Sequence, residues 1–240
     1  MEFTPVLHSE WLKIRTLRSL VGGLAAVLLA TATFSALAGA DSDGADFDPL
    51  FSVFFGVSFG QIAAIAIGTT AVSSEFRDGA LRVTLAAVPR RGRWFAAKAV
   101  AIAVPALVVG LVTGGVSLAV GKAVLGAKAN GLTWSEELRA VVGCGVYLTL
   151  MALLAAGLTA VLRSGTATLS ILIPFLLIVS FVIGDMSGTV ADLLPDRAGQ
   201  VVFHETWDGA LGPWTGLAVT GLWAGGALLA GAWSVQRRDA

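Results

Sequence analysis

The chain has 240 residues, 56% of them apolar and 13% charged, against about a quarter charged in soluble domains, so a soluble globule is excluded. Sixteen basic residues balance sixteen acidic ones, leaving no basic field for nucleic acid and no like-charge excess for a disordered tail. The charges are spaced to leave six uncharged runs, 19–40, 49–74, 99–121, 140–162, 164–184 and 209–236, each of at least 21 residues. Twenty helical residues cover about 30 Å, the thickness of a bilayer's hydrocarbon core. The runs are continuously apolar, unlike the alternating strands of a membrane barrel. The predicted fold is an all-α integral membrane protein. It is a single domain over 1–240, with spans near 19–40, 50–73, 99–121, 140–162, 164–184 and 212–234.

Residues 3–18 read as an amphipathic helix, with Thr4 at the N-cap, Pro5 in the first turn, and Phe3, Val6, Leu7, Trp11, Ile14 and Leu17 on one face. Trp11, Lys13 and Arg15 suit such a helix to a headgroup layer. Glu10 falls inside the apolar arc and therefore calls for a basic partner, which the sequence does not identify. Ala36-Leu37-Ala38 has the small residues of a signal cleavage site, but the apolar run before it is about twice the length of a signal core, so an uncleaved first span is expected. Asp41, Asp43, Asp46 and Asp48 do not make an EF-hand loop: the sixth position, which needs Gly, is Asp46, and the twelfth, which needs Glu, is Ser52.

The segment from Glu75 to Lys98 is the longest connection on its side of the membrane. Leu81, Leu85 and Val88 fall on one helical stripe, Asp78 and Arg82 are spaced for an ion pair, and Pro89 ends the helix before an Arg90-Arg91-Gly92-Arg93 turn. Periodicity leaves two readings open: a loop whose arginines enforce topology, or a small helix presented to a partner's groove. Spans four and five form a tight hairpin around Arg163-Ser164-Gly165. In the connection from Asp185 to Asp208, Leu193-Leu194 and Val201-Val202-Phe203 are apolar enough to dip into the interface. Placing both termini in the cytoplasm puts twelve of the sixteen basic residues inside, which the positive-inside rule selects.

Catalytic motifs are missing. Gly121-Lys122 lacks both the earlier glycine and the following Ser or Thr of a phosphate loop, and His204-Glu205 has Asp208 where a zinc helix needs histidine. Cys144 reads as a buried thiol. No acid, base or histidine lies inside a span, which weighs against a proton-driven carrier. Gly56/Gly60, Gly110/Gly114 and Gly221/Gly225 are spaced for close helix approach, but 29 glycines make such pairs expected by chance. Gln61, with Ser58 and Thr69 on nearby faces, and Pro174, at the centre of span five, are consistent either with helix packing or with a path-lining surface.

Ser9-Glu10-Trp11-Leu12-Lys13-Ile14-Arg15-Thr16 resembles the N-terminal pattern of a known family. So do Ser74-Glu75-Phe76-Arg77-Asp78-Gly79, Leu81-Arg82-Val83-Thr84-Leu85 and Pro89-Arg90-Arg91, followed by Leu194-Pro195 and Ala198-Gly199-Gln200. Over nearly its whole length the chain resembles the permease subunit of the type 2 ATP-binding-cassette (ABC) exporters, in the form common in high-GC actinobacteria. The resemblance implies that 3–18 is an elbow helix with Glu10, Trp11, Lys13 and Arg15. It implies an ATPase-coupling element with Glu75, Arg77, Asp78, Leu81, Arg82, Leu85 and Val88, and re-entrant helices between Asp185 and Asp208. Spans two and five would face the translocation path, with Ser58, Gln61, Thr69, Ser170 and Pro174. The chain itself would bind no cofactor and catalyse nothing, ATP-Mg being held by separate ABC ATPase subunits. A second permease copy or homologue would complete the path in the bacterial plasma membrane. An ATP-independent secondary carrier and a non-transporting scaffold or sensor are the alternative classes, and co-purification of an ATPase separates them.

The topology predicts that single cysteines in a Cys144→Ala background label with impermeant reagent in whole cells at positions 43 and 197. Labelling at position 91 instead reverses the orientation.

Overall fold

The computed structural model describes residues 7–12, 18–40, 47–77, 80, 90–179, 182, 191–207 and 209–237. Among these residues the chain is helical, with no strand. The helices are α1 (residues 7–12), α2 (Arg18–Ala40), α3 (Pro49–Phe54), α4 (Val57–Ser73), α5 (Arg91–Leu125), α6 (Trp134–Leu162), α7 (Gly165–Pro174), α8 (Pro195–Gln200) and α9 (Pro213–Arg237). Short 3-10 turns prolong α4 to Phe76, α5 to Ala129 and α8 to Phe203.

Among the described residues, five segments are long and apolar enough to cross a membrane: Val21–Ala38, Pro49–Phe76, Arg91–Ala129, Trp134–Leu162 and Pro213–Arg237. The span expected over 164–184 is described as a shorter apolar helix, Gly165–Ile178, about 20 Å long. Its regular winding stops at Pro174, which has no N–H to give, and the next five residues, Phe175–Val179, take the wider π form.

Two boundaries differ from expectation for local reasons. Arg91, Gly92 and Arg93 are not a turn but the first turn of α5, whose 35 residues reach about 50 Å and project beyond the hydrocarbon. Helix α6 begins at Trp134 rather than near 140, because Thr133 caps it: the Thr133 hydroxyl accepts the Glu136 N–H, and the Glu136 carboxylate accepts the Thr133 N–H.

The bundle is arranged around α6, which packs against α4, α5, α7 and α9 and buries Tyr147, Leu148, Met151, Ala152, Ala155 and Ala156. Exposed tryptophans mark both ends. Trp11 and Trp233 lie where α2 starts and α9 stops, here the basic end, while Trp134, Trp207 and Trp214 lie at the opposite, far end. Trp94, by contrast, is fully buried.

Glycine makes the closest approaches. A Cβ at Gly56 would lie 1.9 Å from the Thr31 carbonyl oxygen, and one at Gly60 would lie 2.1 Å from the Thr31 hydroxyl. The break between α3 and α4 at Gly56 is tolerated because its N–H donates to the Ser35 hydroxyl at 3.0 Å. Gly110 and Gly114 sit against Gly145, Val141 and Cys144 of α6, and Gly68 lies against the Ala152 carbonyl. Gly221 and Gly225 face open space. Two of the three spaced pairs therefore do pack helices together, and the third does not.

The prediction is that Gly56→Ala and Gly68→Ala each lower the melting temperature of the purified protein, by the equivalent of about 1–3 kcal/mol for an overpacked contact. Gly221→Ala and Gly225→Ala should leave it unchanged.

Candidate functional site

Helix α3, α4 and the turn to Phe76 form one rod, the second span, which carries polar anchors at its far end, its middle and its basic end. At the far end Asp48 caps α3, accepting the Phe51 N–H at 3.0 Å through one oxygen. Its other oxygen meets His204 Nδ1 and the Glu205 N–H, each at 3.1 Å. Burial pushes the Asp48 carboxyl up, but the His204 ring and the two backbone N–H groups outweigh it and hold the carboxyl below its ordinary value. The His204 ring also stacks on Phe51, 4.4 Å between centroids, and its carbonyl accepts from the Arg139 guanidinium at 2.6 Å.

In the middle, the Tyr147 hydroxyl donates to the Gln61 side-chain carbonyl. The Gln200 amide donates to the Tyr147 oxygen at 3.3 Å, and the Ser58 hydroxyl donates to the Gln200 carbonyl oxygen at 3.3 Å. Gly199 lies flat against the Tyr147 ring, where a Cβ would come within 2.4 Å. The chain thus brings Ser58 and Gln61 together and adds Tyr147 from α6 and Gln200 from α8. Helix α8 enters the bundle more deeply than an interfacial dip: Val202 and Phe203 are buried, and Phe203 stacks on Phe54 at 5.3 Å. It also carries buried Asp196, so a carboxylate reaches the bundle from a connection rather than from a span. Thr69 is buried two turns away, beside Gly165 at the start of α7.

Ser170 and Pro174 do not join this network. They lie exposed on α7 with Ile171, and Leu177 and Ile178 of the following π segment are exposed too. On the neighbouring side, α7 stands off from α9, leaving an apolar groove of about 730 Å³ whose walls include Leu154, Leu158, Phe175, Leu222 and Trp223.

At the basic end the Lys98 ammonium donates to the Glu75 carboxylate at 2.7 Å and pairs with Glu10 of α1. The three side chains are no more than 4% exposed. Lys98 is thus a basic partner of the kind that Glu10 calls for. Around it, the Arg91 guanidinium donates to the Val235 carbonyl at 3.1 Å, and Arg163, which ends α6 in the left-handed conformation, lies over the Phe76 ring at 5.7 Å. Arg77 and Trp11 are exposed. Lys13, Arg15, Asp78, Leu81, Arg82, Leu85 and Val88 lie outside the described residues.

The sequence assigned no site role to Lys98, Tyr147, Gln200, Asp48 or His204, because each acts through a contact remote in the chain. Two signals did exist: an acid in an apolar arc at Glu10, and a single tyrosine within an uncharged run at Tyr147.

The geometry defines a multi-pass helical membrane protein pinned by buried polar contacts. The model of the ABC-2 family transporter proteins matches residues 7–206, and the chain belongs to that family. It is a permease component of an ABC transporter. Among the curated proteins it has no significant match.

Tyr147→Phe removes the donor to Gln61 and should destabilise the protein by about 1–3 kcal/mol, the cost of a buried unsatisfied group. Combined with Gln61→Met it should cost less than the two single changes added together, since both partners are then apolar. Melting curves of the four proteins measure this, and strict additivity contradicts the contact.

Proposed function

We propose that the chain forms half of the membrane path of an ATP-driven exporter in a bacterial plasma membrane. Both termini lie in the cytoplasm, and the chain crosses six times as one domain, the sixth crossing being completed around Gly165–Ile178. Two permease copies, or this chain and a homologue, pair with two ABC ATPases that hold ATP-Mg. This chain binds no nucleotide and catalyses no reaction. The observation that carries the reading is the family match over 7–206, which favours it over a secondary carrier or a scaffold.

Residues 3–18 act as the elbow helix in the headgroup layer. The 81–88 stretch is the coupling helix, which offers Leu81, Leu85 and Val88 to an ATPase groove, with Glu75, Arg77, Asp78 and Arg82 at its flank. ATP closes the paired ATPases, the coupling helices move with them, and the spans shift from inward to outward opening. The exposed face of α7, with Ser170 and Pro174, borders the path between the two permeases. Ser58, Gln61 and Thr69 join it as span two moves against α7 and α8. The wide apolar surroundings suit an apolar or amphipathic cargo.

Leu85→Glu places an anion in an apolar groove and should reduce bound ATPase or ATP-driven export by about tenfold or more, with membrane insertion unchanged. If the variant keeps both its ATPase and full export, residues 81–88 belong to the headgroup layer instead.

A further inference from the structure

We propose that Glu10 is a positioning residue for energy coupling: through Lys98 it ties α1 to the second and third spans at the two roots of the 78–89 connection. The proposal rests on the permease reading above. It names the joint through which a moving coupling element carries α1 with it.

Three observations support the joint. First, the contact is built from three elements: Glu10 on α1, Glu75 on the turn after α4, and Lys98 on α5. Glu75 precedes the connection by three residues, and Lys98 stands on the helix that starts directly after it. Displacement of either root therefore reaches Lys98. Second, two carboxylates from different elements converge on one buried ammonium. A second carboxylate on the same buried ammonium brings two anions close together, and buried ion pairs are commonly no more stable than apolar replacements. What the second carboxylate adds is a charge tie to a third element, because separating a buried ion pair strands its charges, whereas apolar surfaces can slide on one another.

Third, α1 is not packed flush against α5 at this point. A groove of about 320 Å³ runs between Leu7, His8 and Trp11 of α1 and Val100, Ala101 and Val104 of α5. Trp11 and Leu12 are exposed. Among the described residues, Leu7 packs against the core and Glu10 is buried on the inner side of α1, against Lys98. Glu10→Gln therefore removes the charge tie between α1 and the roots while leaving the Lys98–Glu75 pair in place.

The test uses the complete permease–ATPase complex in nanodiscs, with an environment-sensitive fluorophore on His8→Cys in a Cys144→Ala background. In the parent complex, trapping with ATP and vanadate should change the fluorescence. In Glu10→Gln the bound ATPase and its hydrolysis rate should stay near the parent values, while the nucleotide-dependent change falls by about tenfold, as loss of a charge-assisted contact predicts. Glu10→Asp should restore part of it. The proposal is overturned if Glu10→Gln gives the full change, if the parent gives none, or if ATPase binding is lost in step with the signal, which marks a merely structural role. If no ATPase accompanies the parent protein, the permease reading fails first and this proposal falls with it.

Discussion

Hydrocarbon offers no partner to a polar side chain, so every such group within a membrane protein must find one inside the protein. This constraint organises the second span. Over about 40 Å of helix it presents Asp48 at one end, Ser58 and Gln61 midway, and Glu75 at the other. Each is matched from a different direction: Asp48 by His204 and the Glu205 backbone, Gln61 and Ser58 by Tyr147 and Gln200, and Glu75 by Lys98. The span is bolted to its neighbours at three levels rather than merely packed against them.

The consequence for function is a division of labour. Glycines 56, 60 and 68 bring the same rod into backbone contact with α2 and α6, so its sides are fixed by shape while its ends are fixed by charge. The basic end carries the connection assigned to the ATPase. The short helix α8 is bound to the middle of the rod through Ser58, Gln61, Tyr147 and Gln200, and the chain after it reaches the far end at His204. A displacement introduced at one end thus has a continuous physical route to the other. By contrast, the regular winding of α7 stops at Pro174, and its face is open along Ser170, Ile171 and Pro174. The tightly tied and the open parts of the bundle are therefore separate elements.

Much of the architecture was legible from charge spacing alone, since a charge rarely enters the hydrocarbon and its absence over 20 residues marks a span. The errors have the same origin. Glu136, Glu137 and Arg139 cut the fourth run at 140, although Thr133 and Glu136 already spelled a helix start six residues earlier. Arg91, Arg93 and Lys98 hid the first turns of α5, because a helix can begin outside the membrane and bury a lysine on acids from elsewhere. The partner of Glu10 was not readable: Lys98 lies 88 residues away, and no local pattern encodes such a meeting. The same holds for Gln61 and Tyr147, 86 residues apart. Glycine spacing was ambiguous for a statistical reason, and only the neighbouring backbone separates Gly56 from Gly221.

The central claim, that the second span joins ATPase-driven movement at the basic end to the far end, is most directly tested by amide hydrogen exchange of the purified permease–ATPase complex. Exchange would be compared without nucleotide and after trapping with ATP and vanadate. The account predicts that exchange changes together at residues 7–12 and 74–76 and at residues 195–207, with the core of α6 unaffected. A change confined to the basic end, or changes at the two ends that occur independently across nucleotide states, would contradict it.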